Sequence, residues 1–268
     1  MRLADITPVI LSYNEEANIG RVLARLSWAK DVVVVDSHST DRTREIIGEF
    51  RNARIFLHVF ESHAAQWKYA TTETGITTDW ILVLDSDYVL SDELIEELLR
   101  IEPEENVAGW DATFRYFIYG RALPRSIYPP RIVLCRRDRA HFYQDGHTQR
   151  LAVTGSVRRL RNPVYHDDRK SLAHWVAAQD RYARLERTKL RTTPRAELGL
   201  VDRLRTHAIV APVAVLLHCL FVKGLILHGF PGWYYAYQRA TAEFLLSLYV
   251  MEDRLVRRGH PDNPELHA

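Results

Sequence analysis

The sequence predicts an α/β fold: a mostly parallel sheet with flanking helices, followed by a C-terminal helical region. Three observations carry this. Short β-branched runs alternate with helical spacing four times before residue 106. Clusters of Asp, Asn, Ser and Thr follow the first, second and fourth runs directly. From residue 171 helical spacing returns, and residues 208–222 hold no charged side chain. Alternation of this kind gives a parallel sheet covered by helices on both faces, with ligands bound at the carboxyl ends of its strands.

Ile6 to Ser12 is an apolar, β-branched run and reads as the first strand. Asn14 has the chemistry of a helix N-cap, with Glu15 and Glu16 in the first turn and Ile19, Val22, Leu23 and Leu26 at helical spacing. Val32 to Val35, closed by Asp36, reads as a buried parallel strand. Thr40 or Asp41 is the expected cap of a second helix carrying Ile46, Ile47 and Phe50. A third strand over 53–59 leads to a helix from His63 to about Thr72. Trp80 to Leu84 forms the fourth strand and ends in Asp85-Ser86-Asp87. Ser91 caps a helix with Leu94, Ile95, Leu98 and Leu99 on one side. Strands are expected over 112–119, 132–136 and 157–160, then a long helix over 171–191.

The chain has 268 residues and is 47% hydrophobic and 26% charged, values of a folded chain rather than a disordered one. The opening residues lack the basic, apolar and small-residue order of a secretory signal. Cys135 and Cys219 stand in no metal-ligand spacing and are expected to be buried reduced thiols, which fits a cytosolic location. The net charge of +2 conceals an asymmetry. Residues 1–106 carry 10 Lys/Arg against 20 Asp/Glu, and residues 107–268 carry 26 against 14. A basic half points to an anionic partner such as nucleic acid, anionic lipid or a phosphate-bearing substrate. The apolar stretch near 208–222 is shorter than the roughly 18 residues a spanning helix needs. With Trp233, Tyr234, Tyr235 and Tyr237 and basic flanks, it reads as interfacial.

Asp85-Ser86-Asp87 is the central chemical signal. Two carboxylates two residues apart, just past an apolar strand, can reach one Mg²⁺ or Mn²⁺, cations that prefer oxygen ligands and are shared with substrate phosphates. Such a cation neutralises a departing diphosphate. Asp36 ends the second strand, where a carboxylate can accept hydrogen bonds from a base or ribose. Arg131 could clamp a diphosphate with two donors.

Four blocks stand in order: Leu11 to Glu16, Val33 to Asp41, Ala65 to Ala70, and Asp79 to Asp87. Together they resemble family 2 glycosyltransferases, within them the branch that includes lipopolysaccharide core glucosyltransferases. The resemblance implies a GT-A fold and transfer with inversion. It implies a nucleotide-diphosphate sugar as donor, UDP-linked in first preference, and a lipid-linked or envelope saccharide such as lipopolysaccharide core or exopolysaccharide as acceptor. Ser12, Asn14, Glu15, Asp36, Gln66, Lys68, Asp85 and Arg131 would then hold the donor. Asp85 and Asp87 would bind the metal, with His166, in its Asn162-Pro163 context, completing the site. A base is needed to take the acceptor's proton. Where related sequences carry Glu, this chain has Gln149, which leaves Asp145, then His147, as the local bases.

The implied organisation is a catalytic domain over 1–170, with a nucleotide-binding part (1–106) and an acceptor part (107–170). A helical region over 171–268 would carry a membrane-associating segment, 208–250, placing the protein on the cytoplasmic face of the inner membrane. An oligomer is compatible with that apolar tail. A nucleotidyltransferase would need a Gly-rich basic loop after the first strand, and Asn14-Glu15-Glu16 stands there instead. A non-catalytic nucleotide- or nucleic-acid-binding protein finds no zinc spacing or binding motif to support it, so nucleic acid is not an expected partner.

Overall fold

Val32 to Val35 show how the sheet is made. In the computed structural model, which describes residues 5–146 and 148–259, all four valines are fully buried. Side chains alternate across a strand, so Val32 and Val34 enter one core and Val33 and Val35 the other. Burial on both faces is the condition under which parallel strands are stable. Strands β1 (Ile6–Ser12), β2 (Val32–Asp36), β3 (Ala53–Leu57) and β4 (Trp80–Asp85) meet it, running parallel in the spatial order β4-β1-β2-β3.

Helices α1 (Ile19–Ala24) and α2 (Thr43–Gly48) send Ile19, Val22, Leu23 and Ile47 into the first core. Helix α3 (His63–Thr72) sends Trp67 and Ala70 into the second. It is capped by Ser62, whose hydroxyl accepts from Ala65 N at 3.1 Å. Beyond β4 the chain enters β5 (Tyr88–Val89) and then α4 (Asp92–Leu99), capped by Ser91 as expected.

The strand expected over 112–119 is β7 (Phe114–Ile118), and a further strand that was not expected, β6 (Val107–Ala112), precedes it. The chain changes sheets at Thr113, which a local apolar pattern does not reveal. After β8 (Arg121–Ala122) comes β9 (Arg131–Arg136), antiparallel to both β4 and β6. A hairpin of β10 (Ala140–Asp145) and β11 (Thr148–Val153) follows, then β12 (Ser156–Arg159) and β13 (Val164–His166). Phe142 of that hairpin stacks on Trp67, ring centroids 5.3 Å apart, and helps close the second core. The large sheet has the order β12-β6-β9-β4-β1-β2-β3, and a small sheet the order β5-β13-β7-β8.

The chain divides into two compact units: one up to Gln144 with Thr148–Lys170, the other of Ser171 onwards with Asp145 and its neighbours. The second unit contains α5 (Leu172–Thr192), α6 (Leu200–Arg205), α7 (Val210–Leu217) and α8 (Gly229–Gly259). Arg205 pairs with Glu243 at 2.6 Å and Glu186 at 3.5 Å. A π-helical turn (His218–Val222) and a 3-10 turn (Leu225–His228) join α7 to α8 around Gly224, at φ 69°. A Cβ at Gly232 would stand 2.1 Å from the Leu225 carbonyl oxygen, so only glycine lets this corner close. Among the described residues no single helix is long and apolar enough to cross a membrane. One pair, Val210–Val222 with Leu225–Val256, passes by length and composition but is bent by 70°. Cys135 and Cys219 are free and buried, each in its own unit.

Candidate functional site

The carboxyl end of β4 is also the crossing from the large sheet to the small one. Asp85 closes β4 and pairs in register with Leu11 of β1, and Tyr88 opens β5 opposite His166 of β13. Only Ser86 and Asp87 lie between. Ser86 is buried, its hydroxyl donating to the Leu11 carbonyl at 2.7 Å. The junction is thereby fixed with both acids at the strand ends, where open α/β sheets bind ligands.

Asp87 is crowded by negative charge. His166 Nε2 lies 3.5 Å from its Oδ2. Burial first, then Asp168 and Asp85, push the Asp87 carboxyl up to about 8. Glu15 is raised to about 7, chiefly by burial and partly by Asp87, against the opposing pull of Lys170. Carboxylates gathered this way fit a divalent cation, which would favour their charged form. Asp85, Asp87 and His166 are the residues that could hold it. Among the described residues no three His, Cys, Asp or Glu side chains are already drawn into a cation-binding arrangement, so the ligand set expected from the sequence is close by but not closed.

Aromatic rings wall the junction. Tyr116 stacks on His166 at 4.2 Å, and Tyr88 and Tyr128 flank the same imidazole. The Tyr88 and Tyr128 hydroxyls meet at 2.6 Å. Arg131 places its guanidinium 4.9 Å from the Tyr128 ring centre. Burial alone would lower the Arg131 pKa, yet Tyr128, Tyr88 and Asp85 hold it above the ordinary value.

Several expected donor ligands have a different local task. Asp36 is fully buried: its carboxylate accepts from the Ser12 hydroxyl at 2.8 Å, the Ser39 hydroxyl at 2.5 Å and Ser39 N at 2.8 Å. It ties Ser12, the last residue of β1, to the loop after β2. Asn14 is not the cap of α1. It sits at φ 53°, and its side-chain oxygen accepts from Thr40 N at 2.8 Å, joining the loops after β1 and β2. Gln66 is buried and donates to the Ser37 hydroxyl and the His58 carbonyl. Lys68, two residues further along α3, projects from another side. It lines a cleft of about 600 Å³ with Thr71, Arg137 and His141, whose lining includes neither Asp85 nor Asp87.

Two bases were expected, Asp145 and His147. His147 lies outside the described residues, and Asp145 belongs to the second unit. There Lys189 Nζ is 2.7 Å from Asp145 and 2.9 Å from Asp202. The Asp145 carboxylate is thus engaged in an ion pair shared with Asp202.

The sequence reading missed a second layer. Asn18 is fully buried, and its amide donates to Glu15 Oε2 and Asp168 Oδ1, both at 2.9 Å. Its oxygen accepts from Arg169 N at 3.0 Å. Lys170 Nζ is 2.7 Å from Glu15 Oε1. Arg21 pairs with Asp167 at 2.7 Å. Residues 167–170 are thus pinned to the start of α1. Only the density of charge in His166-Asp167-Asp168-Arg169-Lys170 signals this in the sequence.

The sequence profile of the family described as Glycosyl transferase family 2 matches residues 7–158. The lipopolysaccharide core biosynthesis glycosyltransferase LpsC of Rhizobium meliloti (strain 1021) is 24% identical over 266 residues, covering 92% of each chain. An uncharacterised glycosyltransferase of Rickettsia bellii is 37% identical over 102 residues, 38% of this chain and only 34% of that relative's length. A solved mannosyltransferase, PcManGT from Pyrobaculum calidifontis in complex with GDP-Man and Mn²⁺, has a TM-score of 0.52 at 13% identity. The alignment covers 93% of this chain and 87% of that one, a likeness of fold. The profile covers more than half of the chain, including the four parallel strands and the acidic junction, and the protein therefore belongs to glycosyl transferase family 2.

Proposed function

We propose that the protein transfers a sugar, with inversion, from a nucleotide-diphosphate sugar to a lipid-linked or envelope saccharide. A UDP-sugar is the first donor to test, and lipopolysaccharide core or exopolysaccharide the acceptor class. The observation that carries this is the Asp85-Ser86-Asp87 junction at the carboxyl end of β4, with Glu15, Asp168 and His166 around Asp87. Likeness to LpsC over most of both chains supports the acceptor class. The GDP-Man and Mn²⁺ in the PcManGT complex support a nucleotide sugar and a divalent cation.

In this reading Asp85 and Asp87 hold Mg²⁺ or Mn²⁺, with His166 beside them. The cation supplies charge neutralisation to the leaving diphosphate. Arg131 and Glu15 border the donor. Ser12, Asn14, Asp36 and Gln66 fix the shape of the loops it rests on. Inversion also needs a proton acceptor. The Lys189 ion pair argues for a structural Asp145, and Asp145→Asn decides that point.

The second unit supports a peripheral place on the cytoplasmic face of the inner membrane. Residues 203–242 contain no Asp or Glu, but four Lys/Arg and three His. At the α7–α8 corner Phe221, Val222, Leu227 and Phe230 are all exposed, Phe230 at 91%. Apolar side chains on an acid-free corner suit an interface of acyl chains and anionic headgroups.

The testing experiment is turnover of UDP-, GDP-, dTDP- and CMP-sugars with Mg²⁺ or Mn²⁺, beside Asp87→Ala. Metal-dependent turnover of one donor, lost in the variant, upholds the reading. Wild type that neither turns over nor binds any of them overturns it.

A further inference from the structure

A nucleotide diphosphate brings at least two negative charges into a junction that already holds Glu15, Asp85, Asp87 and Asp168. A divalent cation offsets part of this, and a fixed cation is needed nearby for the rest. Arg131 lies on the Tyr128 side, stacked against that ring. Across the junction the cation is Lys170. Its side chain is only 17% exposed, and its ammonium lies 2.7 Å from Glu15 Oε1.

The backbone of Lys170 is held in place. Its own N–H donates to Asp168 Oδ1 at 3.0 Å, and the preceding N–H, of Arg169, donates to Asn18 Oδ1. Asn18 in turn holds Glu15 and Asp168. The four-carbon stem is then the part free to move. A lysine ammonium is a compact charge with three donors on a flexible stem. Glu15 occupies one of them.

On the reading that the donor's diphosphate enters the acidic junction, we propose that Lys170 is a diphosphate-binding residue. It is held ready by Glu15 and donates to a non-bridging phosphate oxygen on the α1 side of the site. Glu15 is in this view the anchor of a phosphate ligand rather than a ligand itself. It keeps the ammonium within the cleft when no anion is there. Asn18 is a positioning residue that acts through both.

Calorimetry with UDP, GDP and dTDP and their monophosphates, with Mn²⁺ present, tests this. The proposal expects Lys170→Met to weaken the diphosphate that wild type binds by about tenfold or more, the size of a hydrogen bond to a charged group. The matching monophosphate should change far less, and Lys170→Arg should keep most of the affinity. Because Lys170→Met leaves the buried Glu15 carboxylate without its ammonium, the double variant Glu15→Gln/Lys170→Met is measured beside it and should show the same selective loss. Folding of each is checked by near-ultraviolet circular dichroism. A folded single or double variant that binds the diphosphate as wild type does would overturn the Lys170 role alone. Equal losses for mono- and diphosphate would do the same. Wild type that binds no nucleotide would overturn the donor-site reading, and this proposal with it.

Discussion

His166 Nε2 lies 3.5 Å from Asp87 Oδ2 although the two residues sit in different parts of the chain. The contact follows from the sheet change at Ser86. Tyr88 pairs with His166 in the small sheet, and Asp167 N donates to the Asp87 carbonyl at 3.1 Å, which brings Asp87 up to β13. Stacking by Tyr116 then fixes the ring's plane. The acidic pair is thus held from two sheets at once.

Removal of Asp87 should separate chemistry from fold. Asp87→Ala relieves a crowded carboxylate, so its thermal midpoint should equal or exceed that of wild type. Transfer should fall by about a hundredfold or more, the several kcal/mol a bound cation contributes to charge stabilisation. Chelation of wild type should have the same effect on rate. Mn²⁺ affinity, read by electron paramagnetic resonance, should fall in Asp87→Ala and to a lesser degree in His166→Ala.

Asp36 is expected to matter first to stability. Three donors lose their acceptor in Asp36→Ala, two of them serine hydroxyls, one at the end of β1 and one in the loop after β2. Unsatisfied buried donors cost about 1–3 kcal/mol each at most, and the variant should lose that order of stability in urea. Donor KM should rise as the loops relax. A variant as stable as wild type with only its donor KM raised would make Asp36 a direct ligand.

Asp41 gives a pH dependence with a definite sign. Burial alone would raise its pKa, but hydrogen bonds from the Thr43 hydroxyl, Thr43 N and Glu16 N outweigh this and hold it below the ordinary value of 3.8. A carboxyl depressed in the folded state adds stability that is present above its unfolded pKa. That stability is lost as pH falls through the folded one. Asp41→Asn should therefore be less stable than wild type at neutral pH, and the gap should narrow in acid below the ordinary carboxyl value. Urea midpoints across that range read it directly.

The Lys189–Asp145 pair predicts a coupled effect. If Asp145 is structural, Asp145→Asn and Lys189→Met should each lower the thermal midpoint. The double variant should lose less than their sum, as partners in one network do. Transfer should persist in Asp145→Asn. Transfer abolished with unchanged stability would instead make Asp145 the proton acceptor.

The parallel half of the fold was legible because its signals are local. Val32 to Val35 state a strand buried on both faces, and Ser91 accepts from the helix N–H group it precedes. The acidic pair was legible for the same reason: position after a strand carries its meaning. What was not legible depends on distant pairing. The register of Tyr88 with His166 and the grip of Asn18 on Asp168 join residues far apart in the chain, and no periodicity encodes them. Asp36 carries two readings, because a carboxylate at a strand end serves equally as a ligand or as a brace. Its buried hydroxyl partners, Ser12 and Ser39, show the bracing bonds that no sequence pattern announces. Lys68 and Gln66 are near neighbours in the sequence, yet the helix turns them to different sides within two residues.

The apolar corner of the second unit should set membrane affinity without touching the chemistry. Leu227 and Phe230 are exposed at 84% and 91%, beside Lys223 and His228, in a stretch with no acid. Apolar side chains gain free energy on leaving water, about 1.5–3 kcal/mol for a fully buried Leu or Phe, and each basic residue adds about 1 kcal/mol at an anionic surface. Leu227→Glu/Phe230→Glu should therefore float poorly with phosphatidylglycerol vesicles that carry wild type. Lys223→Gln should weaken binding mainly at low salt, where the electrostatic part is largest. Turnover of a soluble donor should be the same in all three proteins. Equal flotation of wild type and the double variant would remove the corner from the membrane, and a fall in the double variant's sedimenting mass would assign the surface to a second copy of the chain.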